Sequence, residues 1–177
     1  SPLQRAPAAR VQCRILTPHG RYSSGASILM RRVEVLDCTA GSKGGGLHAV
    51  GGRAQILACR VTNCVAAIYG GFVHATGGNF NIDSCTVVGC SANRGGGCYF
   101  GGSVTERLPV NLVDTRIIHC DAVDGGGALF GGPFTLLTME NSTFALGQAS
   151  GRGEFVWLSA SASLLLTLVR LQPAPCT

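Results

Sequence analysis

The chain has 177 residues, of which 46% are hydrophobic and 13% charged, and it carries 26 glycines and nine cysteines. Glycine is about twice and charge about half the usual share, and so much apolar residue excludes a disordered chain. The formal charge of +5 comes from arginines spread along the chain, with Arg31-Arg32 the one adjacent basic pair; no basic run interleaved with aromatics supports a nucleic-acid partner.

The chain begins at Ser1 rather than Met, so it is expected to be processed or a piece of a longer protein, and membrane attachment is expected only through segments outside it. Residues 1–25 are expected to form an N-terminal cap or a degenerate coil, with Cys13 standing 25 residues before Cys38. From residue 26 a period takes over. Cys38, Cys64, Cys90 and Cys120 follow at spacings of 26, 26 and 30, and Gly147 takes the same place 27 residues later. Three residues before each anchor stand Val35, Val61, Val87, Ile117 and Phe144; eight before stand Met30, Ile56, Ile82, Leu112 and Met139. Val33, Cys59, Cys85, Thr115 and Ser142 lie five before, which gives the alternation of a strand.

Glycines follow each anchor: Gly44-Gly45-Gly46, Gly70-Gly71, Gly95-Gly96-Gly97 and Gly125-Gly126-Gly127, with Gly151 and Gly153 as a degenerate fifth cluster. A second set, Gly51-Gly52, Gly77-Gly78, Gly101-Gly102 and Gly131-Gly132, comes after a short apolar segment. Each period therefore predicts three short strands and at least two glycine-marked corners. Glycine clusters break helices, and a propeller blade needs about 40 residues. A coil too short to bury its own face must stack on its neighbours. The fold expected is all-β, a right-handed parallel β-helix of about five coils of 26–30 residues over residues 26–171, with a tail at 172–177. Residues 155–169, uncharged but too short to span a bilayer, read as strand-rich core, and Leu166, Val169 and Leu171 as the start of a sixth coil.

This pattern resembles the right-handed parallel β-helix proteins of the pectate-lyase-like class. Gly126-Gly127-Ala128-Leu129 is similar to the GGA[ILV] repeat of chlamydial polymorphic membrane proteins, with Gly45-Gly46-Leu47-His48 and Gly96-Gly97-Cys98-Tyr99 as looser versions. The resemblance implies a β-helix with a surface-adhesion role and carries over no residue-specific function.

Candidate chemistry is sparse. Cys59/Cys64 and Cys85/Cys90 pair at metal-ligand-like spacing, but zinc favours tighter pairs, and stacked thiols filling a narrow core explain the repetition. In-register cysteines are marginally placed for disulfides. His48 and His74 hold equivalent places and read as surface or rim histidines, with Cys98 a candidate to extend the row. Sugar hydrolysis needs two flanking carboxylates. The nine acids form no such pair, and Asp121 and Asp124 read as turn residues. Arg60, Thr86 and Arg116 face outward in successive coils, too irregular with their neighbours for an ice-binding threonine face. Asn141-Ser142-Thr143 is a glycosylation sequon, making Asn141 the candidate acceptor. Residues 103–110, with Thr105, Glu106 and Arg107, lengthen one coil and suit either a binding insertion or a plain surface loop.

No catalytic residue, metal ligand or cofactor follows from these patterns. The function expected is a non-catalytic module of a larger surface or secreted protein, extracellular, serving adhesion, carbohydrate binding or a scaffold role, with carbohydrate or other surface proteins as partners. The alternative is a polysaccharide lyase or glycoside hydrolase of the pectate-lyase-like class.

Overall fold

The computed structural model describes residues 9–12, 19–25, 27–102, 106–151, 153, 155–159 and 161–172, and of residues 9–24 the backbone alone. Within these the chain is a parallel β-solenoid of about five turns with no helix.

Four sheets run along it, named here in the order a coil visits them. Sheet I stacks Ser27–Arg31, Arg53–Leu57, Asn79–Asp83, Leu108–Val113, Thr135–Glu140 and Ser163–Thr167. Sheet II stacks Ala9–Gln12, Val33–Leu36, Arg60–Thr62, Thr86–Val88, Arg116–Ile118, Thr143–Ala145 and Arg170–Gln172. Sheet III stacks Thr39–Ala40, Val65–Ala66, Ser91–Arg94, Asp121–Gly125 and Gln148–Ala149. Sheet IV stacks His19–Ser24, Lys43–Val50, Val73–Thr76, Cys98–Gly101, Leu129–Gly131 and Val156–Leu158. Four sheets replace the three strands per period read from the sequence. The extra one is sheet III, which begins directly after each anchor cysteine and holds as few as two residues in a coil, too few to show alternation.

The periodic apolar positions build the core. Ile56, Ile82, Leu112 and Met139 pair in register on sheet I, and Val35, Val61, Val87, Ile117 and Phe144 on sheet II, all buried. Cys38, Cys64, Cys90 and Cys120 are buried at the same edge of successive coils. Their neighbours fix the register: Leu36 pairs with Thr62, Thr62 with Val88 and Val88 with Ile118.

The two corners flanking sheet II are not made by glycine clusters. Between sheets I and II one left-handed residue turns the chain: Arg32, Ala58, Ser84, Asp114, Asn141 or Leu168, with φ between 45° and 53°. Between sheets II and III the same task falls to Asp37, Asn63, Gly89, His119 and Leu146. A non-glycine residue in this conformation costs about 1–2 kcal/mol, and something must offset it. At four of the six corners between sheets I and II the next residue does so, whereas Val33 and Val169, after Arg32 and Leu168, carry no side-chain donor. Cys59 donates its thiol to the Leu57 carbonyl (3.3 Å) and Cys85 to that of Asp83 (3.1 Å). Thr115 donates its hydroxyl to Val113 (2.8 Å) and Ser142 to Glu140 (2.9 Å). The same atoms accept from the coil before: Cys59 N–H reaches Cys85 Sγ at 3.4 Å and Thr115 N–H reaches Ser142 Oγ at 3.2 Å. At the next corner Cys38, Cys64, Cys90 and Cys120 donate to Leu36, Thr62, Val88 and Ile118 at 3.5–3.7 Å. The cysteine rows are thus corner caps as well as core filling, and all seven described cysteines are free thiols. Cys13 and Cys176 lie outside the described residues.

The strands of residues 155–169 form as read, but their burial is incomplete. Leu164, Leu166 and Leu171 take core positions opposite Leu137, Met139 and Phe144 and are 39%, 47% and 53% exposed, because they have a described coil on one side only.

The corner caps predict a specific ranking. Thr115→Val removes the hydroxyl's hydrogen bonds to Val113 and Ile82 and is expected to lower the unfolding free energy by about 0.5–1.5 kcal/mol, whereas Thr115→Cys, which keeps a donor of the type already present at Cys85, is expected to cost less than half of that. Urea denaturation of both variants checks the order.

Candidate binding groove

The glycine clusters carry the chain from sheet III to sheet IV. One glycine of each cluster is left-handed, the first at Gly44, Gly70 and Gly95 and the second at Gly126 and Gly153, with φ between 59° and 64°, and it turns the chain out of sheet III. At the second glycine of the first three clusters, a Cβ would collide with the backbone of the following coil: Gly45 with Gly71 and Val65, Gly71 with Gly96 and Ser91, Gly96 with Gly127 and Asp121. The sheets therefore touch backbone to backbone. At Gly46 the added atom would meet the Phe72 ring instead, 2.8 Å away.

On the outer face of sheet IV runs a row of rings. His48 pairs in register with His74, His74 with Tyr99, Tyr99 with Phe130, and Phe130 with Trp157. Successive ring centroids lie 4.7, 5.1, 4.9 and 4.3 Å apart, the first three within the range of about 4.5–7 Å that favours aromatic pairs and the last just short of its lower edge. A second row lies against it. Lys43, Tyr69 and Arg94 bridge in parallel at the end of sheet III. Tyr69 packs on His74 and Tyr99 (5.6 and 4.6 Å), Lys43 Nζ lies 5.7 Å from the Tyr69 ring, and Arg94 lies 5.8 Å from the Phe130 ring while pairing with Asp124. The hydrogen bond from Arg94 to Asp124 raises the guanidinium's pKa. Burial, then the Tyr69 phenol, pushes Tyr99 upward.

This overturns the reading of the histidines as surface groups: His48 is 5% and His74 2% exposed. Nor does Cys98 extend their row. It pairs with Val73 and is buried, where desolvation holds its thiol protonated, and Tyr99 takes the outward place. The slip has a simple origin, since the spacing on this sheet is 26 from His48 to His74, then 25 to Tyr99 and 31 to Phe130.

Beside the rings, the outer side of sheet III forms an open groove of about 500 Å³. Ala66, Ala92 and Ala122 make its floor, and Ser91, Asn93, Asp121, Gln148 and Ser150 bring polar groups to it. Asp121 Oδ1 accepts the Gln148 N–H at 3.1 Å, which fixes the carboxylate toward the next coil. Asp121 and Asp124, read as turn residues, both belong to the strand Asp121–Gly125.

Comparison with protein-family models, with curated proteins and with solved structures finds no match. The chemistry rests on this chain's own residues.

Among the described residues, no group of three or more His, Cys, Asp or Glu is placed to hold a metal ion. The thiol rows act as coupled pairs. Cys85 is held protonated by Cys59 and then by burial, while its hydrogen bond favours the lower pKa at Cys59. Cys90 is likewise held up by Cys120 and Cys64. Asn141 stands exposed at a corner, its amide donating to Asp114 Oδ1, and Thr143 of the sequon lies half-buried on sheet II. In the lengthened coil Glu106 accepts the Gly78 N–H at 3.1 Å, and Thr105 lies outside the described residues.

Two outcomes follow. Tyr99→Phe should remove a phenol titration lying above pH 10 in an alkaline ultraviolet scan. Because burial raises this pKa, the tyrosine's contribution to stability is intact below about pH 10 and is lost as the pH climbs past it. Gly96→Ala should lower the urea midpoint, by about 1–3 kcal/mol of overpacking, since rigid backbone stands where the methyl would go.

Proposed function

We propose that this chain is a non-catalytic β-helix module of a larger surface or secreted protein, and that the groove on sheet III takes a carbohydrate chain. The observation that carries this reading is the groove's repeated chemistry. An alanine floor lets a flat ligand lie close, while hydroxyl, amide and carboxylate groups from three coils line the way. Such mixed donors and acceptors suit hydroxyl-rich ligands, and polar groups set in a shallow trough are how binding sites fix orientation. The open length along the coils favours a polymer over a small molecule. The aromatic row contributes rigidity rather than stacking platforms, because its ring faces are covered by one another.

The likeness to pectate-lyase-like and polymorphic-membrane-protein repeats supports the same reading, as does an acceptor asparagine, Asn141, at an exposed corner. A glycosidase site needs two carboxylates flanking the bond, and the groove brings only Asp121.

A glycan array followed by titration tests the proposal. Ala92→Trp and Ala122→Phe fill the groove from its floor and should each weaken the bound glycan at least tenfold, with the far-ultraviolet spectrum unchanged. Undiminished binding by both variants would refute the groove, and release of shortened oligosaccharides would refute the non-catalytic role.

A further inference from the structure

Sheet II carries a second, separate feature on its outer face. Register places Glu34, Arg60, Thr86, Arg116, Thr143 and Arg170 in a single file along the solenoid, one residue per coil. From Arg60 onward the file alternates arginine and threonine without interruption. Arg60, Arg116 and Arg170 are exposed and Thr86 and Thr143 half-buried. No ion pair among the described residues draws on the three guanidinium groups. The acids at the flanking corners are engaged elsewhere: Asn63 donates to Asp37 and Asn141 to Asp114. Glu34 follows Arg10 in the same register at one end of the file, and Arg32 stands exposed at the adjoining corner.

We propose that this file binds an acidic polysaccharide laid along the solenoid axis, one whose negative groups fall on alternate sugar units. Coils rise ~4.8 Å, so neighbouring arginines stand about 9.6 Å apart. A pyranose unit in an extended chain advances about as far as one coil. A charge on every second unit therefore meets an arginine at each, and the intervening sugar meets a threonine hydroxyl. Guanidinium groups take carboxylate or sulfate through paired N–H donors. Nucleic acid fits poorly. Its phosphates come about 3.4 Å apart on each strand, far denser than the arginines, and none of the chain's rings stands in this file to stack bases. The site is independent of the groove on sheet III and does not rest on it.

The test uses the whole chain and a hyaluronan decasaccharide, which bears a carboxylate on alternate units, followed by calorimetry at low salt. Binding is expected to weaken as salt rises. Arg116→Gln should reduce affinity about tenfold, and the triple variant R60Q/R116Q/R170Q should abolish it. The triple variant R31Q/R53Q/R107Q, which removes as much charge from exposed arginines off the file, should bind within twofold of the parent. An equal loss in both triple variants overturns the proposal in favour of net charge alone. Tighter binding of polygalacturonate, of single-stranded DNA or of phosphatidylserine vesicles overturns it in favour of that ligand. Circular dichroism confirms that each variant keeps the β fold, and the groove-filling Ala92→Trp should leave this binding unchanged.

Discussion

Everything in this molecule depends on hydrogen bonds between one coil and the next. Among the described residues each strand finds its partner about one period away, and the corners do the same. Arg32 N–H reaches Leu57, Asp37 reaches Thr62, Ala58 reaches Asp83 and Asn63 reaches Val88. A corner residue that lost its left-handed turn would pull its own N–H, and its neighbour's carbonyl, out of this ladder. Buried backbone groups left unpaired are costly, so each coil must copy the path of the last. That requirement holds the spacing within narrow limits, and in the longest coil Glu106 ties the chain to the coil before by accepting the Gly78 N–H.

Copying the path also stacks like positions, and this shapes the surface. Side chains stand in files about one strand spacing apart, so a file has a single chemistry only where the sequence keeps it. The ring file from His48 to Trp157 does, and its rings cover one another's faces. Sheet III keeps alanine beneath polar neighbours. Sheet II keeps arginine and threonine in turn. Such surfaces present chemistry as lines rather than as converging clusters. Lines suit extended polymers, whereas acid–base or metal chemistry needs groups that meet at a point.

The sequence revealed the files whose spacing stays regular. The anchors and the positions three and eight before them hold a common count in every coil, and each lands in the core. The ring file escaped notice because its spacing slips by one residue, to 25, and then jumps to 31 across the lengthened coil, while its members change type from imidazole to phenol to indole. Sheet III escaped because a strand of two residues has no alternation to detect. The corners escaped for a different reason. Left-handed turns are read from glycine, asparagine and aspartate, yet Arg32, Ala58, Ser84, His119 and Leu146 do the same work here. What marks the corners at Ala58, Ser84 and His119 is the next residue, a cysteine, with Thr115 and Ser142 in its place after Asp114 and Asn141; after Arg32 and Leu146 stand Val33 and Gly147, which give no such mark.

That substitution bears on why the chain holds so many cysteines. Along one file the cap is a thiol at Cys59 and Cys85 and a hydroxyl at Thr115 and Ser142, with the same carbonyl two residues back as its acceptor. The donor's element changes and the geometry does not. A metal site or a disulfide framework would fail at the first hydroxyl, since neither has use for one. A corner cap needs only a small side chain, a hydrogen to give and tolerance of burial. A thiol meets those needs with a weaker bond and a smaller desolvation cost; a hydroxyl meets them with a shorter bond and a larger one. The exchange follows from a row that closes corners and fills a narrow core, tasks a small thiol or hydroxyl performs alike. The cysteine count therefore carries information about the path of the backbone and none about the redox state of the surroundings.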